Sequence, residues 1–251
     1  MKPAFTLIEL VVVLALIAIV THLASRELVR FGDRRLGEAA DRRFQDIRAA
    51  CTAFYGDTGR LVHAEDGTLA ELWTMPTNVM KYAIGAVDFH GTNILVACGW
   101  KGPYFRLPFG RHTLTDAWGN AIEYHADDAA RRLVVSNGVA IAAAHLGPSA
   151  LLAERREFSL LPENGVSAEL VVNLANEASV DGTVHVGVLG PKAGVPAVLA
   201  DAAVALAGDA QTVLSGLTPG PRTLVVLGSG VRVIRLVELR GGDNLIEVEL
   251  K

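Results

Sequence analysis

Apolar positions follow four successive patterns along the 251-residue chain, and each predicts a different element. From Phe5 to Ala24 the run is almost unbroken, and its one carboxylate, Glu9, lies near the start. As a helix these 20 residues would extend about 30 Å, enough to cross a bilayer core. From Ser25 to Tyr55 there is no proline, and Leu36, Ala40, Phe44, Ile47, Cys51 and Phe54 recur at spacings of three and four. That is one apolar stripe on a continuing helix. Arg30, Arg34, Glu38, Arg42 and Asp46 run at spacing four along another face. Gly32 and Gly37 fall inside this segment, each costing about 1 kcal/mol relative to alanine, and read either as two exposed weak spots or as a segment that bends or unwinds when subunits pack. Gly56, Asp57 and Gly59 are expected to end it.

Beyond the helix the chain alternates turn-formers with short apolar runs. Gly102-Pro103 and Gly119-Asn120 read as turns, and Ala121 to Tyr124 as an alternating strand. After Leu161-Pro162 the pattern becomes wholly strand-like. Leu170 to Val172, Thr183 to Leu189, Ala197 to Leu206, Thr212 to Leu214, Arg222 to Val226, Val231 to Leu239 and Leu245 to Leu250 are apolar or alternating, with Gly, Pro, Asn and Asp between them. Gly228-Ser229-Gly230 reads as a hairpin turn between two of these runs. Such spacing predicts a β-sandwich. Composition steps at the same place, because no Phe, Tyr or Trp occurs from Gly165 to Lys251. The fold class expected is α+β: a long N-terminal helix packed on a small antiparallel sheet, followed by an all-β sandwich domain. The divisions are residues 1–4 as a leader, 5–56 as the helix with 5–24 in the membrane, 57–160 as an α+β head and 161–251 as the sandwich.

Charge narrows the function classes. A formal net charge of −4 leaves no footprint for nucleic acid. The seven histidines are scattered, with no His-x-x-x-His pair or Cys/His cluster, so no metal or other cofactor is expected. No Gly-x-Ser-x-Gly elbow, Walker loop or Gly-x-Gly-x-x-Gly occurs, and nothing in the chain argues for an enzyme. Glu9 is the exception that calls for a role, since an ionisable group at mid-membrane costs about 2.5–3.5 kcal/mol. Two cysteines, Cys51 on the helix stripe and Cys98 after Asn93-Ile94-Leu95-Val96-Ala97, are compatible with one disulfide or with two buried free thiols.

The stretch Phe5-Thr6-Leu7-Ile8-Glu9-Leu10, behind a four-residue leader ending in Ala4, resembles the N-terminal signature of type IV pilins and of the pseudopilins of type II secretion. The resemblance implies that prepilin peptidase cuts between Ala4 and Phe5 and that the new Phe5 amine is methylated. The family usually has Gly where this chain has Ala4. It further implies that Glu9 of one subunit meets the Phe5 amine of its neighbour. That pairing strengthens as the dielectric falls in a dry helix bundle.

A second segment runs Gly99-Trp100-Lys101-Gly102-Pro103-Tyr104-Phe105-Arg106-Leu107-Pro108 and then Thr115-Asp116-Ala117-Trp118-Gly119-Asn120-Ala121-Ile122-Glu123-Tyr124. It resembles the major pseudopilin, with Gly102, Pro103, Tyr104, Leu107, Pro108, Asp116, Trp118, Gly119, Asn120 and Tyr124 matching. Ala117 and Ala121 stand where that family often has Pro. The family's calcium loop is not carried over, because Asp127 and Asp128 alone supply too few oxygens. What these resemblances imply is a homo-oligomeric filament subunit of a type II secretion pseudopilus. Its partners would be other pseudopilins or pilins and an inner-membrane assembly platform, with the C-terminal part in the periplasm or in an extracytoplasmic filament. A type IV pilin, and a single-pass anchored periplasmic binding protein that never assembles, are the alternatives. Counting Lys and Arg alone gives the opposite orientation, since Lys2 stands against Arg26, Arg30, Arg34 and Arg35. The sandwich is an addition to the usual pilin-type head. Gly216 to Val226 is faintly similar to the closing strands of transthyretin-like or carboxypeptidase-regulatory-like sandwiches.

Overall fold

A computed structural model describes residues 7–62, 69–107, 113–115, 122–127, 132–137, 156–159 and 167–250. Helix α1 runs without a break over Leu7–Thr58. Its 52 residues rise about 78 Å. It passes straight through Gly32 and Gly37. The penalty of a glycine is small beside the hydrogen-bond ladder and, at Gly37, the burial that surrounds it. The helix stops at Gly59, two residues later than predicted, with φ +65° and its N–H donated to the Tyr55 carbonyl at 2.8 Å.

The predicted stripe is the buried face. Ala40, Phe44, Ile47, Cys51 and Phe54 are buried together with Ala50, whereas Leu36, at its start, is exposed. Among the described residues, most of what covers this stripe is not in a strand. Val62, Leu69, Phe105 and Leu114 come from connecting segments and Leu72 from the 3₁₀ turn Ala70–Leu72, with Ile122 touching from the edge of a sheet. That sheet contains β3 (Ile122–Asp127), β4 (Arg132–Asn137) and β5 (Arg156–Ser159), all antiparallel and in that order. Ahead of it in the chain lies a hairpin, β1 (Ala83–Phe89) and β2 (Thr92–Cys98).

Each of the seven apolar runs of the C-terminal part falls on one strand. These are β6 (Ala168–Ala175), β7 (Gly182–Lys192), β8 (Val195–Leu206), β9 (Ala210–Leu217), β10 (Gly220–Gly228), β11 (Val231–Leu239) and β12 (Gly242–Glu249). One sheet has the order β11-β10-β7-β8 and the other β12-β6-β9, where β12 lies parallel to β6. Alternation places Leu170, Val172 and Leu174 of one sheet against Val184, Val186, Val188, Leu224 and Val226 of the other. The core is therefore aliphatic, built by Val and Leu without a single ring. Ser229-Gly230 forms the predicted β10–β11 turn, with φ positive at both residues as two-residue hairpins prefer. Together these elements make the α+β class with a β-rich C-terminal domain.

Head and tail share a third core. Phe89, Ile94 and Val96 of the hairpin pack on Leu189, Val225 and Leu227 of the sandwich. Gly187 makes this possible, since a Cβ there would lie 2.4 Å from the Phe89 ring.

Candidate assembly segment and the socket at the helix end

The last turn of an α-helix leaves four carbonyls without intrahelical donors. In α1 all four are met, by four different elements. Tyr55 takes the Gly59 N–H at 2.8 Å and Asp57 the Gly99 N–H at 2.9 Å. Thr58 takes the Gly194 N–H at 2.7 Å from the β7–β8 turn, and Gly56 the Arg222 guanidinium at 2.8 Å from β10. Two of these donors belong to the sandwich. The tail is thereby built into the end of the helix.

Among the described residues Arg222 is the largest fully buried side chain, and its donors are fully used. Nε donates to the Thr218 carbonyl and hydroxyl, Nη1 to the Gly56 and Pro221 carbonyls, and Nη2 to the Thr218 hydroxyl and the Pro219 carbonyl. Burial lowers its pKa to about 10, although the surrounding Tyr55, Glu238, Asp57 and Cys98 oppose the shift. A cation at a helix C-terminus also meets the negative end of the macrodipole.

Gly102, Pro103 and Tyr104 lie in the same place. The Tyr104 hydroxyl donates to Asp57 Oδ2 at 3.0 Å and accepts the Lys101 N–H at 2.9 Å. Its ring meets Phe54 edge-on at 5.7 Å and Trp100 at 6.0 Å, while Trp100 Nε1 donates to the Glu71 carbonyl. Gly102 sits between the two rings, where a Cβ would come within 2.8 Å of both. Burial raises the Asp57 carboxyl, with the Tyr104 hydrogen bond, Lys101 and Arg222 pulling the other way. The Tyr104 hydroxyl is itself raised, chiefly by burial. This half of the second motif is thus a wedge that secures the helix end. Asp116, Trp118, Gly119 and Asn120 lie outside the described residues, and Tyr124 is placed only as part of the backbone of β3. Cys51 and Cys98 are both buried free thiols in this structure, not a disulfide, and burial raises both thiol pKa values.

The opposite end of α1 has no such surroundings. Ile8–Ser25 is an 18-residue span of mean hydropathy 2.4 with none of its residues buried, long and apolar enough to cross a membrane. Ile8, Leu10, Val11, Leu14, Ile17 and Val20 are each more than half exposed. The hydroxyls of Thr21 and Ser25 donate to the Ile17 and Thr21 carbonyls, both at 2.7 Å, so the span satisfies these polar groups internally. Glu9 stands in the first turn, exposed. Ala4 and Phe5 lie outside the described residues.

Two features were not seen in the sequence. Arg222 looks like one more polar residue entering a strand, and its role appears only when β10 reaches α1. Likewise His90, His185 and Asp201 converge from three elements with no local spacing to announce them.

Residues 2–25 match the family model described as the prokaryotic N-terminal methylation motif. No curated protein matches the chain significantly. The chain therefore carries a type IV pilin-like N-terminus, that of a processed prepilin-type protein with a single-helix anchor.

Proposed function

We propose that this protein is a structural, non-enzymatic subunit of a type II secretion pseudopilus, cut by prepilin peptidase between Ala4 and Phe5, methylated at Phe5 and polymerised through α1. One observation carries the reading: the methylation motif over residues 2–25 coincides with a helical span that is apolar, uncovered and has Glu9 in its first turn. A helix apolar all round finds its place in lipid or against other such helices. Glu9 then pairs with the Phe5 amine of the neighbouring subunit, and the filament runs from the inner membrane with the head and sandwich on its outside. The Gly102-Pro103-Tyr104 wedge supports the pseudopilin over the type IV pilin, since it uses the residues of the pseudopilin-like motif to secure the helix end.

Mass analysis of the native N-terminus is the test, combined with Glu9→Ala. A subunit begins at methylated Phe5, and the variant inserts in the membrane but fails to join filaments. A mature chain that still begins at Met1 and behaves identically with Glu9→Ala refutes the proposal. Retention of exported enzymes in a deletion strain, against loss of a surface fibre, separates pseudopilus from pilus.

A further inference from the structure

We propose that His90, His185 and Asp201 form a site for one divalent transition-metal ion of the zinc class, closing the seam between the β1–β2 hairpin and the sandwich. The strand register assembles it. Asp201 on β8 is paired with Gly187 and His185 on β7 with Ala203, so His185 and Asp201 are diagonal neighbours on one face of the sheet. Phe89 covers that same face at Gly187. His90, the next residue, is thereby brought over them. It opens a two-residue turn with Gly91, φ 48° and 77°, a left-handed conformation in which His is enriched several-fold over most side chains.

The three ligand atoms lie within 4.8 Å of one another. His90 Nε2 is 2.7 Å from Asp201 Oδ2, and His185 Nδ1 is 3.8 Å from Asp201 Oδ1. Two imidazole nitrogens and one carboxylate oxygen are a zinc-type donor set, leaving a fourth position for water. A tetrahedral ion with bonds of about 2.0–2.1 Å wants its ligand atoms about 3.4 Å apart, inside the 4.8 Å that encloses these three. The imidazoles are stacked at 3.6 Å and 27° from parallel, so coordination turns them until their lone pairs converge.

A second observation points to a ligand. His185 Nδ1 is shielded from solvent and has no hydrogen-bond partner. A buried polar atom left in that condition calls for an explanation, and an ion supplies one. The side chains remain 38%, 32% and 36% exposed, which keeps a path open for the ion. Because the ligands come from the hairpin and from two strands of the sandwich, the bound ion cross-links head to tail. This is independent of whether the chain polymerises.

The test uses the full-length chain in detergent, stripped with a chelator and titrated with ZnCl₂ and, in parallel, CoCl₂. One Zn²⁺ per chain is expected, with visible Co²⁺ absorption and a raised unfolding midpoint. Asp201→Asn and His90→Asn should each weaken Zn²⁺ binding by about 100-fold or more, beyond the loss of an outer-sphere partner. Asn tolerates the left-handed turn at position 90, and His185→Gln is the further variant if either fails to fold by circular dichroism. A Cys51→Ala/Cys98→Ala chain should bind as the parent does. Three results overturn the proposal: no Zn²⁺ uptake by the parent chain at millimolar concentration, unchanged uptake in the folded ligand variants, or loss of uptake with the cysteines.

Discussion

Replacing Arg222 with alanine should loosen the head although the residue belongs to the tail. The Nη1 bond to the Gly56 carbonyl crosses between them at 2.8 Å. A hydrogen bond from a charged donor contributes about 1.5–3 kcal/mol. Alanine also removes donors from the Thr218, Pro219 and Pro221 carbonyls, and each buried carbonyl left without one costs about 1–3 kcal/mol unless water reaches it. The side chain leaves a cavity large enough to admit water, so we expect a total of about 3–4 kcal/mol rather than the full sum. For a chain of this size that lowers Tm by about 6–16 °C. The assay follows from composition. All three tryptophans, Trp73, Trp100 and Trp118, precede residue 161, and the tail has no aromatic residue. Tryptophan fluorescence therefore reports the head, and hydrogen exchange of the β6–β12 amides through the thermal transition reports the sandwich. In Arg222→Ala both transitions should move down together, and Arg222→Lys, with three donors in place of five, should fall between. If the sandwich transition moves and the fluorescence midpoint stays at the parent value, Arg222 is a matter internal to the tail and the socket at the helix end is not what couples the two parts.

Gly59→Ala should be destabilising by at least about 1–2 kcal/mol from its left-handed backbone alone. The added Cβ would also lie 2.0 Å from the Pro191 carbonyl oxygen, pushing the β7–β8 turn off the helix end. Chemical denaturation measures this, and a midpoint equal to that of the parent contradicts it. The Cys51 thiol predicts alkaline lability. Burial raises it far above its ordinary 9.0, so above about pH 9 the unfolded chain loses this proton while the folded chain keeps it. The folded state then binds more protons, and stability falls as pH rises, by up to about 1.4 kcal/mol per pH unit. Cys98 adds to this in the same direction. Stability measured from about pH 8 to 10 should decline less steeply in Cys51→Ala, and an identical slope refutes the assignment.

What could be read in the sequence was what local spacing encodes. The unbroken apolar run declared the anchor, three-and-four spacing declared the buried face from Ala40 to Phe54, and seven alternating runs declared the seven strands of the sandwich. Each is a signal completed within a few residues. Gly32 and Gly37 do not break the helix because propensity is a weak prior, overridden by a ladder that continues on both sides. The connecting segments that also cover the helix stripe were not legible, for a different reason. Apolar residues in connecting segments, such as Val62, Leu69 and Phe105, have no period to reveal which face they will meet. The allegiance of the β1–β2 hairpin was hidden as well. Phe89 packs on the sandwich because Gly187 leaves space for it, a fit between residues nearly a hundred positions apart. The histidines looked scattered for the same reason, since only the β7–β8 register and that hairpin contact bring His90, His185 and Asp201 together.

The socket at the helix end also answers how a filament-type helix can carry a sandwich as large as its head. Among the described residues of α1, Gly37 is the first that is buried, and no described side chain from Ile8 to Leu36 is. Those residues rise about 43 Å, of which the apolar span Ile8–Ser25 accounts for about 27 Å. The tail docks through the Gly56 and Thr58 carbonyls and through the hairpin, all on the far side of the head's core. It consumes none of the surface that neighbouring helices need. A domain attached instead by a contact along the first thirty residues would compete directly with lipid and with other subunits for the same apolar side chains. Placing the attachment at the last helical turn, where unpaired carbonyls already require donors, turns a standing electrostatic need into the joint that carries the added domain.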